Sequence, residues 1–145
     1  DPVYRIKENT RLIAAGAFLS CDKVTEIIIP NSVTNIGYAA FKNCTKLTTI
    51  TIPASVQTIG IIAFINCTTL KTITFSSNST VMSIGHSAFS YCTALTSVNL
   101  EVCAQLREIR YYTFRGCSSL NYNNINLPTG INVGYQAFYG CINAT

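Results

Sequence analysis

The stretch IGYAAFKNC, Ile36 to Cys44, decides how this chain is read. It returns as IGIIAFINC (59–67), IGHSAFSYC (84–92), IRYYTFRGC (109–117) and VGYQAFYGC (133–141). Aligned on their phenylalanines, Phe18, Phe41, Phe64, Phe89, Phe114 and Phe138 lie 23, 23, 25, 25 and 24 residues apart. Each is followed three residues later by a cysteine: Cys21, Cys44, Cys67, Cys92, Cys117 and Cys141. Self-similarity at this period is the signature of a solenoid, whose coils bury an apolar face only by stacking on one another.

Working outward, the coil CTKLTTITIPASVQTIGIIAF (44–64) divides into parts with separate roles. Leu47 followed by Ile alternating with Thr has period two and β-branching, which predicts a short strand with one buried face. Pro30, Pro53 and Pro128 follow three such runs and are expected to end them. The glycine after Ile (Gly37, Gly60, Gly85, Gly134) suits a tight turn. Phe and Cys at i and i+3 then fit one face of a short helical turn. The expected fold class is an α/β repeat solenoid: a right-handed superhelix with a parallel sheet on one face and short helical turns or irregular segments on the other.

Two longer coils, LKTITFSSNSTV (70–81) and LTSVNLEVCAQL (95–106), approach the leucine-rich-repeat consensus, with Asn78 and Cys103 in its inward-turned polar slot. Together with the six-fold IP-x-SV-x-x-IG-x-x-AF-x-x-C pattern, the chain resembles the BspA-like (Treponema-type) leucine-rich repeat family over essentially its whole length. The fifth coil departs from the pattern: Arg110 stands where Gly is expected, and residues 120–134 add two positions before Pro128, so a local irregularity is expected there. The resemblance implies a cell-surface or secreted protein of the kind that acts as an adhesin on host matrix proteins or cells.

The chain is read as one domain, residues 1–145, of about five full coils. It opens Asp1-Pro2 and closes CINAT, both in mid-repeat, which suggests a piece of a longer array. Uncovered edge strands invite pairing, so end-to-end self-association joins the expected partners.

Catalysis finds little to work with. His86 is the only histidine and has no acid beside it, and the six acidic residues form no pair at useful spacing. No phosphate loop or cofactor fingerprint is present, and no catalytic residue, metal ligand or cofactor is assigned. The closest cysteines are 11 residues apart, Cys92 and Cys103, unlike a close metal-ligand pair. An odd total of seven rules out a complete internal disulfide set. If the Phe-x-x-Cys segments were helical, neighbouring coils would stand about 10 Å apart there and the cysteines would miss one another. Buried, reduced thiols are expected. The net charge of +4 is scattered rather than striped, which argues against a nucleic-acid partner, and no apolar run is long enough for a membrane helix.

Recognition is the remaining class, and two surfaces offer themselves. Between the buried strand positions lie Glu26, Ile28, Thr49, Thr51, Thr72, Thr74, Ser97, Asn99, Asn124 and Asn126, a nearly neutral face of hydroxyls and amides suited to a polypeptide edge or a sugar. The residue after the glycine slot forms a second column, Tyr38, Ile61, His86, Tyr111 and Tyr135, rich in an amphipathic aromatic favoured at interfaces. Sequons at Asn43, Asn66, Asn78 and Asn143 are candidate N-glycosylation sites, although Asn43 and Asn66 also belong to the packing repeat. The function expected is an adhesin-like, non-enzymatic module for a protein ligand, with a glycan as the lesser possibility. The rival readings are an architectural spacer in a longer array, or carbohydrate or ice binding through the Thr-x-Thr ladder.

Overall fold

A computed structural model describes residues 2–144. Three parallel sheets run along a stack of coils. The first contains β1 (Val3–Arg5), β3 (Glu26–Ile28), β5 (Thr49–Ile52), β7 (Thr72–Phe75) and β9 (Ser97–Val98), in that order. The second contains β2 (Leu12–Ile13), β4 (Asn35–Ile36), β6 (Thr58–Ile59) and β8 (Ser83–Ile84). The third is the pair β10 (Glu108–Ile109) and β11 (Asn132–Val133). Register follows the repeat: Tyr4, Ile27, Ile50, Ile73 and Val98 lie side by side and, Tyr4 apart, point inward.

Inside the stack, columns of like residues touch. The rings of Phe18, Phe41, Phe64, Phe89, Phe114 and Phe138 stack in one file, with centroids 4.8 to 5.3 Å apart and planes within 13° of parallel. Such contacts add about 0.5 to 1.5 kcal/mol each beyond the area they bury. Leu47, Leu70, Leu95 and Leu120 and the strand isoleucines complete the core.

The Phe-x-x-Cys segments are not helical turns. Two residues in each have left-handed backbone, four apart, as in Ala39 (φ 54°) and Asn43 (φ 61°), or Ile62 (φ 50°) and Asn66 (φ 62°). Alternate N–H groups take alternate partners. Ala39, Phe41 and Asn43 donate to Ile61, Ala63 and Ile65 of the next coil (2.7–3.1 Å), while Ala40, Lys42 and Cys44 close three-residue turns within their own coil at 3.2 Å. This satisfies the backbone without a helix. Coils are therefore one strand spacing apart on this side too, which overturns the wider separation expected from a helix.

The glycine slot also has a different reason. Gly37, Gly60, Gly85 and Gly134 are not among the positive-φ glycines. Instead the preceding coil's backbone lies against them: a Cβ on Gly85 would sit 2.4 Å from Ile61 N and 2.6 Å from Ile61 Cα. These glycines directly follow the second row of short strands and its continuation in β11, and each donates its N–H to the Ile carbonyl of the coil before.

The fifth coil lacks this glycine, and its strand pairing changes. With Arg110 in the slot, β10 does not pair with β8, and the second sheet stops at β8. Arg110 O accepts from Thr113 N–H at 3.3 Å, as the glycine carbonyls accept from Ala N–H in the other coils, and also from the Thr113 hydroxyl at 2.7 Å, Thr113 being the buried residue where other coils carry Ala. The expected irregularity beyond it is present. A 3-10 turn, Tyr122–Asn124, replaces the next strand, so Pro128 follows irregular chain rather than a strand. The inward polar slot also needs correction. Cys103 is buried as expected, but Asn78 is exposed and left-handed (φ 62°), and the buried side chain beside it is Ser79.

Two substitutions test this packing by urea unfolding. Gly85→Ala should cost about 3 kcal/mol, at the upper end for overpacking, because backbone atoms cannot yield to the new methyl. Phe64→Ala should cost about 3 to 5 kcal/mol. A loss below about 1 kcal/mol for either contradicts such close stacking of the coils.

Candidate functional site

The strand face keeps only part of its expected ligand set free. Thr49 and Thr72 share a hydrogen bond, 3.0 Å between their hydroxyl oxygens. Asn99 is fully engaged: its Oδ1 accepts from Phe75 N (2.7 Å) and its Nδ2 donates to Phe75 O (2.9 Å), imitating a strand where the ladder ends. Asn124 and Asn126 lie outside the sheet, on the 3-10 turn and the chain after it. Glu26 and Ile28 are half-buried on β3. That leaves Thr51, Thr74 and Ser97 exposed, with Thr51 directly opposite Thr74. Many other hydroxyls on the coils serve as staples to the coil before, such as Ser32 to Thr10 O (2.7 Å) and Thr80 to Ala54 O (2.6 Å).

The second column is brought together and is larger than expected. Tyr38, Tyr111 and Tyr135 are 57%, 45% and 68% exposed, Ile61 and His86 are half-buried in the same column, and Tyr139, in the column of Arg115, is 53% exposed. His86 stacks on Tyr111 with centroids 4.4 Å apart, Tyr111 meets Tyr112 edge-on at 5.2 Å, and Tyr112 meets Tyr135 at 5.9 Å. The Arg115 guanidinium lies 4.9 Å from the Tyr112 ring centre and 5.9 Å from that of Tyr139. The exposed Tyr91 ring occupies the space a side chain on Gly116 would need.

Tyr91, Tyr112, Arg115 and Tyr139 do not emerge from reading columns, because each column changes residue type from coil to coil. At the position of Tyr112 the other coils carry Gly16, Ala39, Ile62, Ser87 and Gln136. The signal they do give is local: Tyr111, Tyr112 and Arg115 flank the buried Phe114, and Tyr135 and Tyr139 flank the buried Phe138.

Six of the seven cysteines, all but Cys103, occupy a column of their own. All seven are free thiols, and only Cys21 is not buried. From Phe18 to Phe114, each repeat Phe carbonyl accepts two bonds, one from the N–H of the Cys three residues on and one from the thiol of the next coil's Cys. Phe41 O thus receives Cys44 N at 3.2 Å and Cys67 Sγ at 3.2 Å. The same pair recurs at Phe18, Phe64, Phe89 and Phe114, with sulfur distances of 3.1 to 3.3 Å. A small apolar side chain with one weak donor fits this slot. Contact with the neighbouring thiol, and then burial, hold the Cys44 and Cys92 thiols above their usual range. Burial pushes Cys103 up to about 11 and Cys141 up to about 12.

The sequon asparagines are part of the same architecture. Asn43, Asn66, Asn78 and Asn143 all have left-handed backbone, which asparagine tolerates better than most residues. Asn66 Nδ2 donates to Asn43 Oδ1 (3.1 Å), and Asn143 Nδ2 to Asn121 Oδ1 (3.0 Å). Thr145 of the last sequon lies outside the described residues.

The profile of the BspA type leucine rich repeat region matches residues 11–145 in six copies. No curated protein matches the chain. Among solved structures, a leucine-rich repeat protein of Treponema pallidum is similar with a TM-score of 0.88 and 30% identity, over 99% of this chain and 65% of that one. A leucine-rich repeat protein from Eubacterium ventriosum gives 0.73 and 26% identity, over 100% of this chain and 44% of that one. The pneumococcal vaccine antigen PcpA gives 0.59 and 20% identity over 96% and 48%, a likeness of fold alone. The chain thus spans less than two thirds of the length of each of these structures.

The thiol column has two measurable consequences. In the native chain one thiol, Cys21, should react promptly with a thiol reagent, and the other six only on unfolding. Cys103 and Cys141 titrate higher when folded (about 11 and 12) than the ordinary 9.0. Their contribution to stability is therefore complete below about pH 9 and is lost as pH rises through 11 and 12. Urea midpoints should be flat from pH 7 to 9 and fall above that.

Proposed function

The chain belongs to the BspA-type leucine-rich repeat family, and from that premise we propose that it is a non-catalytic, adhesin-like recognition module of a cell-surface or secreted protein. It binds a host matrix protein or another cell-surface ligand. The observation that carries this reading is the aromatic row on the turn side, Tyr111, Tyr112, Tyr135 and Tyr139 with His86. Packing does not require it, because the Phe file inside is already continuous through these coils. Leaving large rings in water has no benefit for a spacer, whereas tyrosines concentrate where interfaces draw their energy. Family membership supports binding as the general role, since repeat arrays of this kind present extended surfaces to partners. The strand face ranks second, because Thr49, Thr72 and Asn99 already satisfy one another or the backbone.

The test is binding of the purified chain to immobilised matrix proteins and host-type glycans. Tyr111→Ala with Tyr135→Ala should weaken saturable binding at least about tenfold, the scale of a hot-spot aromatic. Thr51→Val with Thr74→Val should leave it unchanged. The opposite result moves the site to the strand face, and no binding by the parent chain favours a spacer.

A further inference from the structure

Resting on that reading, we infer that the aromatic row takes an acidic polysaccharide, with Arg115 as the group that meets its carboxylate or sulfate. Arg115 is half-buried, with its guanidinium over two rings, 4.9 Å from the centre of Tyr112 and 5.9 Å from that of Tyr139. Its guanidinium meets no carboxylate and no other acceptor among the described residues. The ion pair found there joins Arg110 to Glu108 at 2.9 Å, on the same coil. A guanidinium positioned by ring faces keeps its N–H fork open in the plane and loses little freedom on binding. Its natural complement is a planar or tetrahedral oxyanion taken by two parallel bonds.

The charge around it agrees. Residues 86–145, which carry the rings, hold Arg107, Arg110 and Arg115 against Glu101 and Glu108, a balance of three minus two, or +1. With Glu108 tied to Arg110, the rings lie in a field that favours an anion.

The shape of the surface suits an extended polysaccharide. This face offers a run of ring faces and edges, from His86 through Tyr111 and Tyr112 to Tyr135, crossing three successive coils. Pyranose rings present flat C–H faces that stack on such rings, with hydroxyls at their rims for the phenol groups. Successive sugars of an extended chain can therefore meet successive coils, and a sugar acid or sulfate placed among them reaches Arg115.

The test is titration of the 145-residue chain by calorimetry with three probes: a hyaluronan oligosaccharide (carboxylate), a heparin-derived oligosaccharide (sulfate) and maltohexaose (neutral). At least one acidic probe should bind and maltohexaose should not, and the two acidic arms tell carboxylate from sulfate. Arg115→Ala should weaken that binding about tenfold or more. Arg115→Lys, which keeps the charge and loses the planar fork, should recover only part of it. Arg107→Ala removes the same charge from outside the rings and should weaken binding less than Arg115→Ala does. Tyr139→Ala provides a second variant should Arg115→Ala not fold, and it should also weaken binding. Equal loss with Arg107→Ala, no loss with Arg115→Ala, or equal binding of maltohexaose overturns the inference. If the acidic probes fail while a matrix protein is captured through Tyr111 and Tyr135, the inference falls and the recognition reading stands. If nothing is captured, both fall.

Discussion

Everything in this structure depends on adjacent coils lying one strand spacing apart around the whole circuit. Parallel strands hold that spacing at about 4.8 Å. The turn side holds the same spacing without strands, by sending every second N–H to the next coil and closing the others into local turns. The left-handed residues are a consequence. A segment that must advance without coiling into a helix needs its backbone reversed at intervals, and it places Ala39, Ile62, Ser87, Tyr112 and Gln136 at positive φ to do so. For an L-residue that conformation costs about 1 to 2 kcal/mol, offset here by inter-coil bonds that a helix would forgo.

The uniform spacing explains the composition of each column. Phenylalanine rings repeated about 5 Å apart stack nearly parallel along the whole file, one of the favoured arrangements at that distance. A thiol in the next column reaches the previous coil's Phe carbonyl, where alanine would leave that second lone pair without a donor. Glycine is needed where one backbone lies against another, and the absence of β8–β10 pairing beside Arg110 follows from the same geometry. Arg110 and Thr113 depart from the pattern together, and the Thr113 hydroxyl adds a second bond to the Arg110 carbonyl that the Thr113 N–H already reaches.

The fold was legible because repetition shows which positions pack. The Phe, Cys, Leu and Ile columns stand out at any one coil and recur in the others, and each is buried in the inner coils. Less visible was the local conformation between them. Phe and Cys three apart fit a helical face and a chain of tight turns equally well, and Ala, Ile, Ser, Tyr and Gln give no sign of left-handed backbone. Two-residue strands such as Thr58–Ile59 are too short to show alternation. The candidate site was half legible: Tyr111, Tyr135 and His86 share a column, but Tyr112, Tyr139 and Arg115 join them only through the geometry of the turn. Asn99 read as a ligand residue because its strand position implied solvent, whereas the end of the ladder had already claimed both ends of its amide.

These differences separate two kinds of position in the coil. Inward columns are fixed in type because each residue packs among its counterparts in the neighbouring coils. Outward columns are less constrained, and the column of Arg115 runs Leu19, Lys42, Ile65, Ser90, Arg115 and Tyr139. Variation there costs the stack little, so a cluster of like chemistry on the outer turns is not a by-product of packing. The rings and the unpaired guanidinium gather on neighbouring coils, from the one carrying His86 to the one carrying Tyr139, where outward columns otherwise mix aliphatic, amide and hydroxyl residues. In a solenoid the strongest functional signal is therefore the place where unconstrained columns agree with one another, and here they agree on an aromatic, cationic surface.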